Sequence, residues 1–318
     1  MSAPAREMRI PAACSADAPL APLTHCRIGG MARVLCVAES EDDVLRAVDY
    51  RNRAALTDDD VFVLGGGANV LINDAREYGL VLKLSEHFNA IEVDELKGTA
   101  RIQAGIYTPR LVREAARRGW EGFQFLAGVP GSLGGAVVMN AGVRELSTWD
   151  LVEAAEGITW GGDRVRVERD TVRPAYRRGN LPGDLIVTIA ECRVRGGDAE
   201  SIHRMARVLS TSRRETQPLQ WPSWGSTFRN PSGASSTGLT AGALIDSAGM
   251  KGYRVGDAGI SEKHANFIVN LGAATAADAL ACIRAAYEAV RDRHGVRLEP
   301  EVRLIGFALA DLDFLEAG

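Results

Sequence analysis

The sequence has few cysteines and no long apolar run. Its five cysteines are scattered over 318 residues without a C-x-x-C pair, so they indicate neither a disulfide framework nor a zinc site. No stretch reaches the roughly 18 to 20 apolar residues that cross a membrane, and the amino end lacks the apolar core of a secretory signal. We therefore predict a cytoplasmic protein that contacts no membrane and begins with a flexible tail, residues 1–22.

The sequence also lacks an excess of charge of one sign. Its 37 basic and 41 acidic residues leave a formal net charge of −4, which excludes a general electrostatic attraction to nucleic acid. Apolar residues make up 46% and charged residues 25%, as in ordinary globular proteins. The unusual figure is 34 glycines against 12 prolines. Glycines in such number either form turns or let the backbone approach a ligand.

The first half of the chain shows alternating helix and strand signals. Ser40 precedes apolar residues at helical spacing and is predicted to cap a helix, which an apolar strand at 61–64 follows. Short strands are predicted at 80–84 and 101–104. A helix is predicted to begin at Pro109 and continue through residue 118.

The second half is predicted to begin with strands and end with helices. Several short strands are expected between 149 and 194, and the composition changes at 195–198. The amphipathic helix that follows ends near residue 215 and has its apolar side chains on one side: Ile202, Met205, Val208 and Leu209. Thr275 and Asp278 have the spacing of a capping box before a last amphipathic helix.

Two common phosphate-binding motifs are absent. No glycine is followed by Lys and then Ser or Thr in the spacing of a Walker loop. The dinucleotide motif G-x-G-x-x-G would need a third glycine after Gly65 and Gly67, where the chain has Val70. The sequence therefore indicates neither a Walker ATPase nor a simple Rossmann dehydrogenase.

Many of the glycines lie in two clusters, residues 64–70 and 127–142. Consecutive glycines can turn backbone N–H groups toward an anion, although the first cluster taken alone also fits a tight turn between strands. In the second cluster, glycines remove side chains from one wall while Pro130 stiffens its entry. Two such clusters about 60 residues apart suit a long ligand with a central pyrophosphate, held between two small subdomains.

Eight motifs follow one another along the chain, at residues 27–30, 64–69, 127–142, 176–177, 225–231, 248–252, 261–270 and 298–303. In this order they resemble the UDP-N-acetylenolpyruvoylglucosamine reductases, the MurB family. The resemblance covers about 23–306, and the order of the motifs is more specific than any one of them. Residues 217–225 resemble the branch of the family that lacks an extra tyrosine-bearing loop.

The resemblance implies an α+β protein with a two-subdomain FAD-binding fold of the vanillyl-alcohol-oxidase type and a C-terminal α+β substrate domain. We place FAD-binding subdomain 1 at 23–84, FAD-binding subdomain 2 at 85–197 and the substrate-binding domain at 198–318. The implied reaction uses FAD and NADPH to reduce the enolpyruvyl ether of UDP-N-acetylglucosamine to UDP-N-acetylmuramate, a step in peptidoglycan precursor synthesis. The implied partner is the sugar-nucleotide substrate, and we expect a monomer or weak homo-oligomer.

The resemblance also implies which residues carry the chemistry. Ser226 matches the family's proton donor, and Arg177 matches the arginine that binds the enolpyruvyl carboxylate. Glu301 matches a catalytic glutamate that acts with this arginine. Arg213 and Asn230 fall where the family contacts substrate. No metal is implied.

Without the resemblance, these residues have ordinary interpretations. Ser226 would cap a helix or turn, Arg177 would be solvated and Glu301 would belong to an ion pair. His264 titrates near neutral pH as a rule, but the matching motif indicates that it orients the wall of the active site.

The implied flavin-binding positions come from the two glycine clusters, whose loops at Gly65 and Gly128 would hold the pyrophosphate. They are Gly65, Gly66, Gly67, Ala68, Asn69, Val70, Gly128, Val129, Pro130, Gly131, Ser132, Gly134, Gly135, Asn140 and Gly142.

The chain departs from the family's usual pattern at five places: Ala68 (usually serine), Gln124 (usually glutamate), 143–145, 178–180 and Asp257 (usually glycine). None of these changes removes a catalytic residue. One alternative is a paralogous flavoenzyme that acts on a related enolpyruvyl or sugar-nucleotide substrate in a specialised pathway. Another is a flavin- or nucleotide-binding protein without turnover, against which the retained catalytic residues argue.

Overall fold

The computed structural model describes residues 10–143, 146–231 and 238–315. By packing, the chain divides into two compact units. Unit 1 comprises the described parts of 1–18, 32–66 and 78–213, and unit 2 those of 19–31, 67–77 and 214–318. The division differs from the linear boundaries expected from the sequence, because segments 19–31 and 67–77 supply Cys26, Ile28 and Leu71 to the same core as the carboxyl-terminal helix.

Unit 1 contains a four-stranded sheet in the order β1-β2-β5-β3. Its elements are β1 (Cys14–Pro19), β2 (Met31–Ala38), helix α1 (Glu41–Arg53), β3 (Val61–Leu64) and β5 (Glu77–Leu84). β3 and β5 are parallel, with Val61 opposite Leu80. The predicted Ser40 cap is confirmed, since Ser40 and Asp43 form a capping box. Helix α1 buries Val44, Ala47 and Val48.

Part of the expected flexible tail, residues 1–9, lies outside the described ranges, and the described part differs from that expectation. Residues 14–19 form β1 at the edge of this sheet, and Cys14 is joined to Cys36 of β2 by a disulfide. The expectation that the cysteines form no disulfide is therefore wrong for this pair. Neither cysteine has a local pattern that predicts this bond, because the two residues are separated by 22 positions and meet only when the two strands pair.

Unit 1 also contains a five-stranded antiparallel sheet in the order β12-β11-β13-β7-β6. Its strands are β6 (Ile91–Asp94), β7 (Thr99–Gln103), β11 (Val152–Thr159), β12 (Arg164–Glu168) and β13 (Leu185–Arg193). The predicted β-rich region 149–194 is confirmed. Two short pairs join β8 (Trp120–Glu121) with β14 (Arg195–Gly196) and β9 (Gly142–Val143) with β10 (Leu146–Ser147).

The remaining helices of unit 1 are α2 (Thr108–Arg117), α3 (Leu133–Met139), α4 (Arg169–Val172) and α5 (Ala199–Thr216), with 3-10 turns at 123–128 and 148–150. Pro109 lies in the first turn of α2, as predicted. The apolar side of α5 is only partly covered: Ile202 is buried, whereas Met205 is 48% and Val208 53% exposed. Helical spacing thus located the apolar side but did not show whether it is buried.

In its described residues, unit 2 combines short strands with two helices. Its elements are β4 (Val70–Ile72), α6 (Ala241–Ser247), β15 (Arg254–Val255), β16 (Ala258–Ile260), β17 (Ile268–Asn270), α7 (Ala276–His294) and β18 (Arg303–Ile305), with 3-10 turns at 21–23 and 309–315. β4 and β18 are parallel, and β15, β16 and β17 form an antiparallel sheet. The predicted capping box of Thr275 and Asp278 begins α7. Ile283, Tyr287 and Val290 of α7 lie in the core.

The mixture of helices and strands confirms the α+β class. Within the described ranges, none of the helices is both apolar enough and long enough to span a bilayer.

Candidate functional site

The first glycine cluster packs against the second in unit 1. A Cβ atom on Gly66 would lie 2.4 Å from the Cα atom of Gly131, and one on Gly65 would lie 3.2 Å from Ser132 Oγ. Such contacts leave no room for a side chain at Gly66, so the two loops pass backbone against backbone. The sequence predicts that both clusters bind one ligand. In the fold, the two clusters lie next to each other.

The second cluster is held by hydrogen bonds to the surrounding structure. The Thr108 N–H donates to the Gly131 carbonyl at 3.0 Å, and the Gly134 N–H donates to the Ala104 carbonyl at 2.8 Å. Gly131 has a φ of +106°, which glycine adopts without strain. Ser132 precedes α3, and its hydroxyl accepts a hydrogen bond from the Gly135 N–H at 3.4 Å. These bonds fix the loop independently of any ligand.

Gly128, Val129 and Gly142 serve the packing of the same region. A Cβ on Gly128 would lie 2.8 Å from Val143 Cγ2, and one on Gly142 would lie 2.2 Å from the Leu146 carbonyl oxygen. Val129 is buried, whereas Pro130 is half-buried. Backbone packing therefore requires a glycine at position 142, whereas a Cβ atom at position 128 would need the Val143 side chain to move.

Lys83 is a charged residue that the sequence analysis missed. Its ammonium group donates to the Gly65 carbonyl at 2.8 Å, and burial lowers the pKa of this amine. Lys83 is half-buried, and a partly desolvated cation beside a glycine loop favours binding of an anion. The available signal was a lysine inside the apolar strand Leu80–Leu84.

The rest of the first cluster, residues 67–70, belongs to unit 2. Gly67 has a φ of +68°, and a Cβ there would lie 2.1 Å from the Leu23 carbonyl oxygen. The Asn69 side-chain amide donates to the Glu301 carbonyl at 3.1 Å. Val70 begins β4 and pairs with Arg303, while Ala68 is half-buried. These contacts attach the cluster to the segment of Glu301.

Ser226 and Glu301 lie on adjacent segments of unit 2. The Glu301 N–H donates to the carbonyl of Thr227, next to Ser226, at 2.8 Å. Phe228 forms a bridge with Pro300 one step further along. Both candidate catalytic side chains are half-buried. Two residues that are 75 positions apart in sequence (301 − 226) thus belong to neighbouring backbones.

Asn266 fixes the segment that carries Ser226. Its carbonyl accepts the Thr227 N–H at 2.8 Å, and its side chain exchanges two hydrogen bonds with the backbone of Phe228, at 2.9 and 2.8 Å. Asn266 is buried. The nearby His264 accepts the Asn266 N–H at its Nδ1 atom, and burial lowers the pKa of this histidine. His264 therefore supports the local backbone, in keeping with the orienting role expected from the sequence.

Arg177 belongs to unit 1, in a tight turn. Ala175 and Arg178 exchange backbone hydrogen bonds at 2.9 and 3.0 Å, which leaves Tyr176 and Arg177 at the tip. Arg177 has a φ of +57°, a conformation rare for residues other than glycine and asparagine. Its guanidinium carbon lies 4.9 Å from the centre of the Tyr176 ring. Residues in such uncommon conformations cluster at functional sites.

The two other predicted substrate contacts lie in different units. Arg213 is half-buried near the end of α5, and burial lowers the pKa of its guanidinium. Asn230 lies in unit 2, where its side-chain oxygen accepts the Ala241 N–H at 3.0 Å and so anchors the start of α6.

Asn140 follows α3 and is buried, with 5% of its surface exposed. The side-chain amide of Asn140 donates to the Ala175 carbonyl at 2.9 Å, and its side-chain oxygen accepts the backbone N–H of Trp149 at 3.0 Å. The side chain of this predicted flavin-binding residue therefore contacts the turn of Arg177.

The departures from the family pattern have local roles. The Gln124 side-chain oxygen accepts the Gly122 N–H at 2.8 Å. Asp257 accepts the Ala273 N–H at 2.8 Å and forms an ion pair with Arg254. Arg144 and Glu145 lie outside the described residues. The departures at Gln124 and Asp257 thus stabilise turns.

The chain is similar to known proteins along most of its length. A family described as FAD binding domain matches residues 32–168, and one described as UDP-N-acetylenolpyruvoylglucosamine reductase, C-terminal domain, matches 217–305. The reductase of that name from Anaeromyxobacter sp. (strain K) is 42% identical over 94% of this chain and 88% of its own. The one from Anaeromyxobacter sp. (strain Fw109-5) is 41% identical, over 98% and 95%.

A solved structure gives the same picture. The crystal structure of the reductase from Thermus caldophilus, at 35% identity, covers 93% of this chain and 99% of its own with a TM-score of 0.74. The match over residues 32–168 confirms the predicted FAD-binding fold. Because relatives at 41 to 42% identity span nearly the whole chain, the chain belongs to the UDP-N-acetylenolpyruvoylglucosamine reductase family.

Proposed function

We propose that this protein is an FAD-dependent enzyme that uses NADPH to reduce the enolpyruvyl ether of UDP-N-acetylglucosamine to UDP-N-acetylmuramate, in peptidoglycan precursor synthesis. The observation that carries the proposal is the match to reductases of this name over nearly the whole chain. We further propose that it works in the cytoplasm. We also propose that it is a monomer or weak homo-oligomer, and size-exclusion chromatography tests this oligomeric state.

The proposed reaction needs three kinds of help. Addition of hydride to the methylene carbon leaves negative charge that spreads into the carboxylate, and the adjacent carbon must then receive a proton. FAD, when bound, supplies the hydride obtained from NADPH. The protein therefore has to bind the cofactor, stabilise the anionic intermediate and deliver the proton.

In unit 1, the backbone around Gly65, Gly66 and Gly131 fits the flavin pyrophosphate. A Cβ atom on Gly66 would collide with Gly131, so the loops can present only backbone there. Lys83 adds a half-buried positive charge next to Gly65. Backbone N–H groups and a nearby cation together favour a phosphate group. The other members of the two clusters are proposed as flavin neighbours on the family pattern.

In unit 2, we assign the proton transfer to Ser226. A serine hydroxyl is a weak acid, so its contribution depends on where it is held. The backbone that directly follows Ser226 is fixed, because the Thr227 N–H donates to the Asn266 carbonyl and the Thr227 carbonyl accepts the Glu301 N–H. Glu301 is proposed to act next to Ser226, where its carboxylate would hold the hydroxyl or a water in the orientation for proton transfer.

We assign carboxylate binding to Arg177. The planar guanidinium can bind both oxygens of a carboxylate, which a lysine cannot do, and it would stabilise the enolate-like charge as it forms. The bonds between Ala175 and Arg178 close the turn at the backbone, and the Arg177 guanidinium carbon lies 4.9 Å from the centre of the Tyr176 ring. Arg213 and Asn230 are proposed as further substrate contacts.

The test separates the two halves of the reaction. The purified protein should be yellow or become yellow with FAD, NADPH should bleach the flavin, and UDP-N-acetylenolpyruvoylglucosamine should restore the colour. Flavin that is bleached by NADPH but not restored by this substrate would favour a paralogue with a related substrate. Protein that binds no FAD would contradict the proposal.

Ser226→Ala tests the assigned proton donor. It should slow reoxidation by the substrate by about 10²- to 10⁴-fold while NADPH still reduces the flavin, because the proton is needed only in the second half-reaction. Ser223→Ala, in the same segment, is the matched control and should leave both rates unchanged. Equal slowing of both half-reactions by Ser226→Ala would remove this role.

A further inference from the structure

The turn that carries Arg177 adopts a conformation that its own sequence does not favour. Arg177 has a φ of +57°, where a side chain with a Cβ atom is disfavoured by roughly 1–2 kcal/mol. Tyr176 is exposed, so apolar packing does not hold the tip of the turn. The conformation must therefore be held by contacts between the turn and the rest of unit 1.

The end of α3 provides these contacts. The Asn140 amide donates to the Ala175 carbonyl at 2.9 Å, at the first residue of the turn. The Gly179 N–H donates to the Val138 carbonyl at 3.0 Å, just after the turn. The turn is thus fastened to the last turn of α3 on both sides of Arg177.

The geometry leaves little freedom at either attachment. A Cβ on Gly179 would lie 2.5 Å from the Val137 carbonyl oxygen and 2.8 Å from that of Val138, so the backbone approaches α3 as closely as glycine allows. Asn140 is buried and has a φ of +43°, a conformation that asparagine tolerates better than most residues. Its oxygen accepts the Trp149 N–H at 3.0 Å, which fixes the orientation of the amide.

We propose that Asn140 is a positioning residue for Arg177: its side chain holds the turn so that the guanidinium meets the carboxylate of the substrate. This inference rests on the proposed function, because it takes the role of Arg177 from there. It also changes the role expected for Asn140 from contact with the flavin to support of a substrate-binding residue.

The physical reason is the geometric demand of a bidentate ion pair. Two parallel N–H···O bonds form only when the guanidinium and carboxylate planes are aligned. Loss of the Asn140 bond releases the first residue of the turn, and Arg177 can then relax toward the commoner negative φ. A misplacement of about 1 Å can slow a reaction by about 100-fold.

Two substitutions isolate the contact. Asn140→Gly removes both side-chain hydrogen bonds but keeps a residue that accepts positive φ. Asn140→Asp keeps the acceptor for the Trp149 N–H and removes the donor to Ala175. Both variants should slow flavin reoxidation by the substrate about 100-fold. The dissociation constant for FAD should stay within about threefold of the parent value, because the lost hydrogen bonds lie at the turn and not at the flavin.

A measurement independent of activity follows the turn itself. Hydrogen exchange of the amides of Ala175, Arg178 and Gly179 should become at least about tenfold faster in both variants, because local opening controls exchange. Unchanged exchange over residues 173–180 would overturn the inference, since the turn would not depend on Asn140.

A double-mutant cycle gives the decisive outcome. Adding Asn140→Asp to Arg177→Ala should cause no further slowing of reoxidation, because Asn140 is proposed to act only through the Arg177 side chain, which the first substitution has removed. Additive slowing, or a loss of FAD affinity of tenfold or more in Asn140→Asp, would overturn the inference and favour direct contact with flavin. If Arg177→Ala itself leaves reoxidation unchanged, Arg177 does not bind the substrate carboxylate as proposed, and this inference fails with that assignment. The single variant Arg177→Ala is enough to recognise this outcome.

Discussion

At the scale of the residue, Lys83 places a positive charge next to the first glycine cluster. Lys83 is half-buried, and its ammonium group donates to the carbonyl of Gly65, so the positive charge lies beside the glycine loop. The cost of burying this charge appears as a lowered pKa. Binding of a pyrophosphate nearby would offset that cost.

We predict that Lys83→Met weakens FAD binding by about tenfold or more, because a charge-assisted interaction of about 1.5–3 kcal/mol is lost. Titration of apoprotein with FAD, followed by quenching of flavin fluorescence, measures the dissociation constant. Lys97→Met is the matched control, since Lys97 is exposed and pairs only with Asp94 among the ion pairs of the described chain. Equal affinity for the Lys83 variant and the parent would show that this charge does not act on the cofactor.

The three cysteines outside the disulfide are buried residues: Cys26, Cys192 and Cys282. Burial raises the pKa of the Cys192 thiol to about 12 and that of Cys282 to about 11, and it also raises the pKa of Cys26. Because the thiolate is the reactive form, we predict that a disulfide reagent such as Ellman's labels none of them in the native protein near neutral pH and all of them in guanidinium. Rapid labelling of the native state would contradict this burial.

At the scale of the element, α2 is stabilised by a small charge cluster. Glu114 accepts hydrogen bonds from Arg117 and Arg118, which lower the pKa of Glu114 to about 2. Its folded pKa lies below the unfolded value, so its contribution is present above about pH 4.5 and is lost as the pH falls toward about 2.

We predict that Glu114→Gln lowers the free energy of unfolding near neutral pH by at most about 1 kcal/mol, because the pairs are at the surface. The difference from the parent should shrink as the pH falls below about 4.5. Urea unfolding of both proteins at several pH values measures it, and added salt should also reduce it. A difference that grows in acid would contradict the assigned ion pairs.

A disulfide joins the edge strand β1 to its neighbour β2. The bond between Cys14 and Cys36 closes a loop with a sequence separation of 22, which corresponds to about 3 kcal/mol of stabilisation in the chain-entropy account. Cytoplasmic proteins rarely keep such a bond, so the oxidised fraction in cells, measured by alkylation at lysis, bears on the expected localisation.

We predict that dithiothreitol lowers the urea midpoint of the oxidised parent, since the denatured chain regains the entropy that the bond removed. The variant Cys14→Ser should start at the lower midpoint and show no response to dithiothreitol. An identical midpoint for the parent with and without reductant would show that β1 does not depend on the bond.

At the scale of the whole molecule, the cofactor and the fold are linked. A ligand that binds only the folded protein stabilises it by about 2.7 kcal/mol at 100 times its dissociation constant. We predict that FAD raises the melting temperature of the parent and that Gly66→Ala abolishes this shift, because its Cβ would meet Gly131 at 2.4 Å. Gly183→Ala, which meets nothing within 4 Å, should retain the shift. A full shift in Gly66→Ala would separate flavin binding from the glycine loops.

The sequence by itself determined features that depend on neighbouring residues. The caps at Ser40 and Thr275 were predictable because each forms hydrogen bonds within three residues. The family was predictable because motifs recur in order along the chain. The flavin-binding fold followed from that resemblance.

Only the tertiary structure decided which distant residues meet. The approach of Gly66 to Gly131, the bond from Asn140 to Ala175 and the disulfide of Cys14 with Cys36 each join separate segments. Such contacts depend on strand pairing and loop paths that local propensity does not encode. The exposure of Met205 was equally undetermined, because helical spacing defines a face but not what covers it.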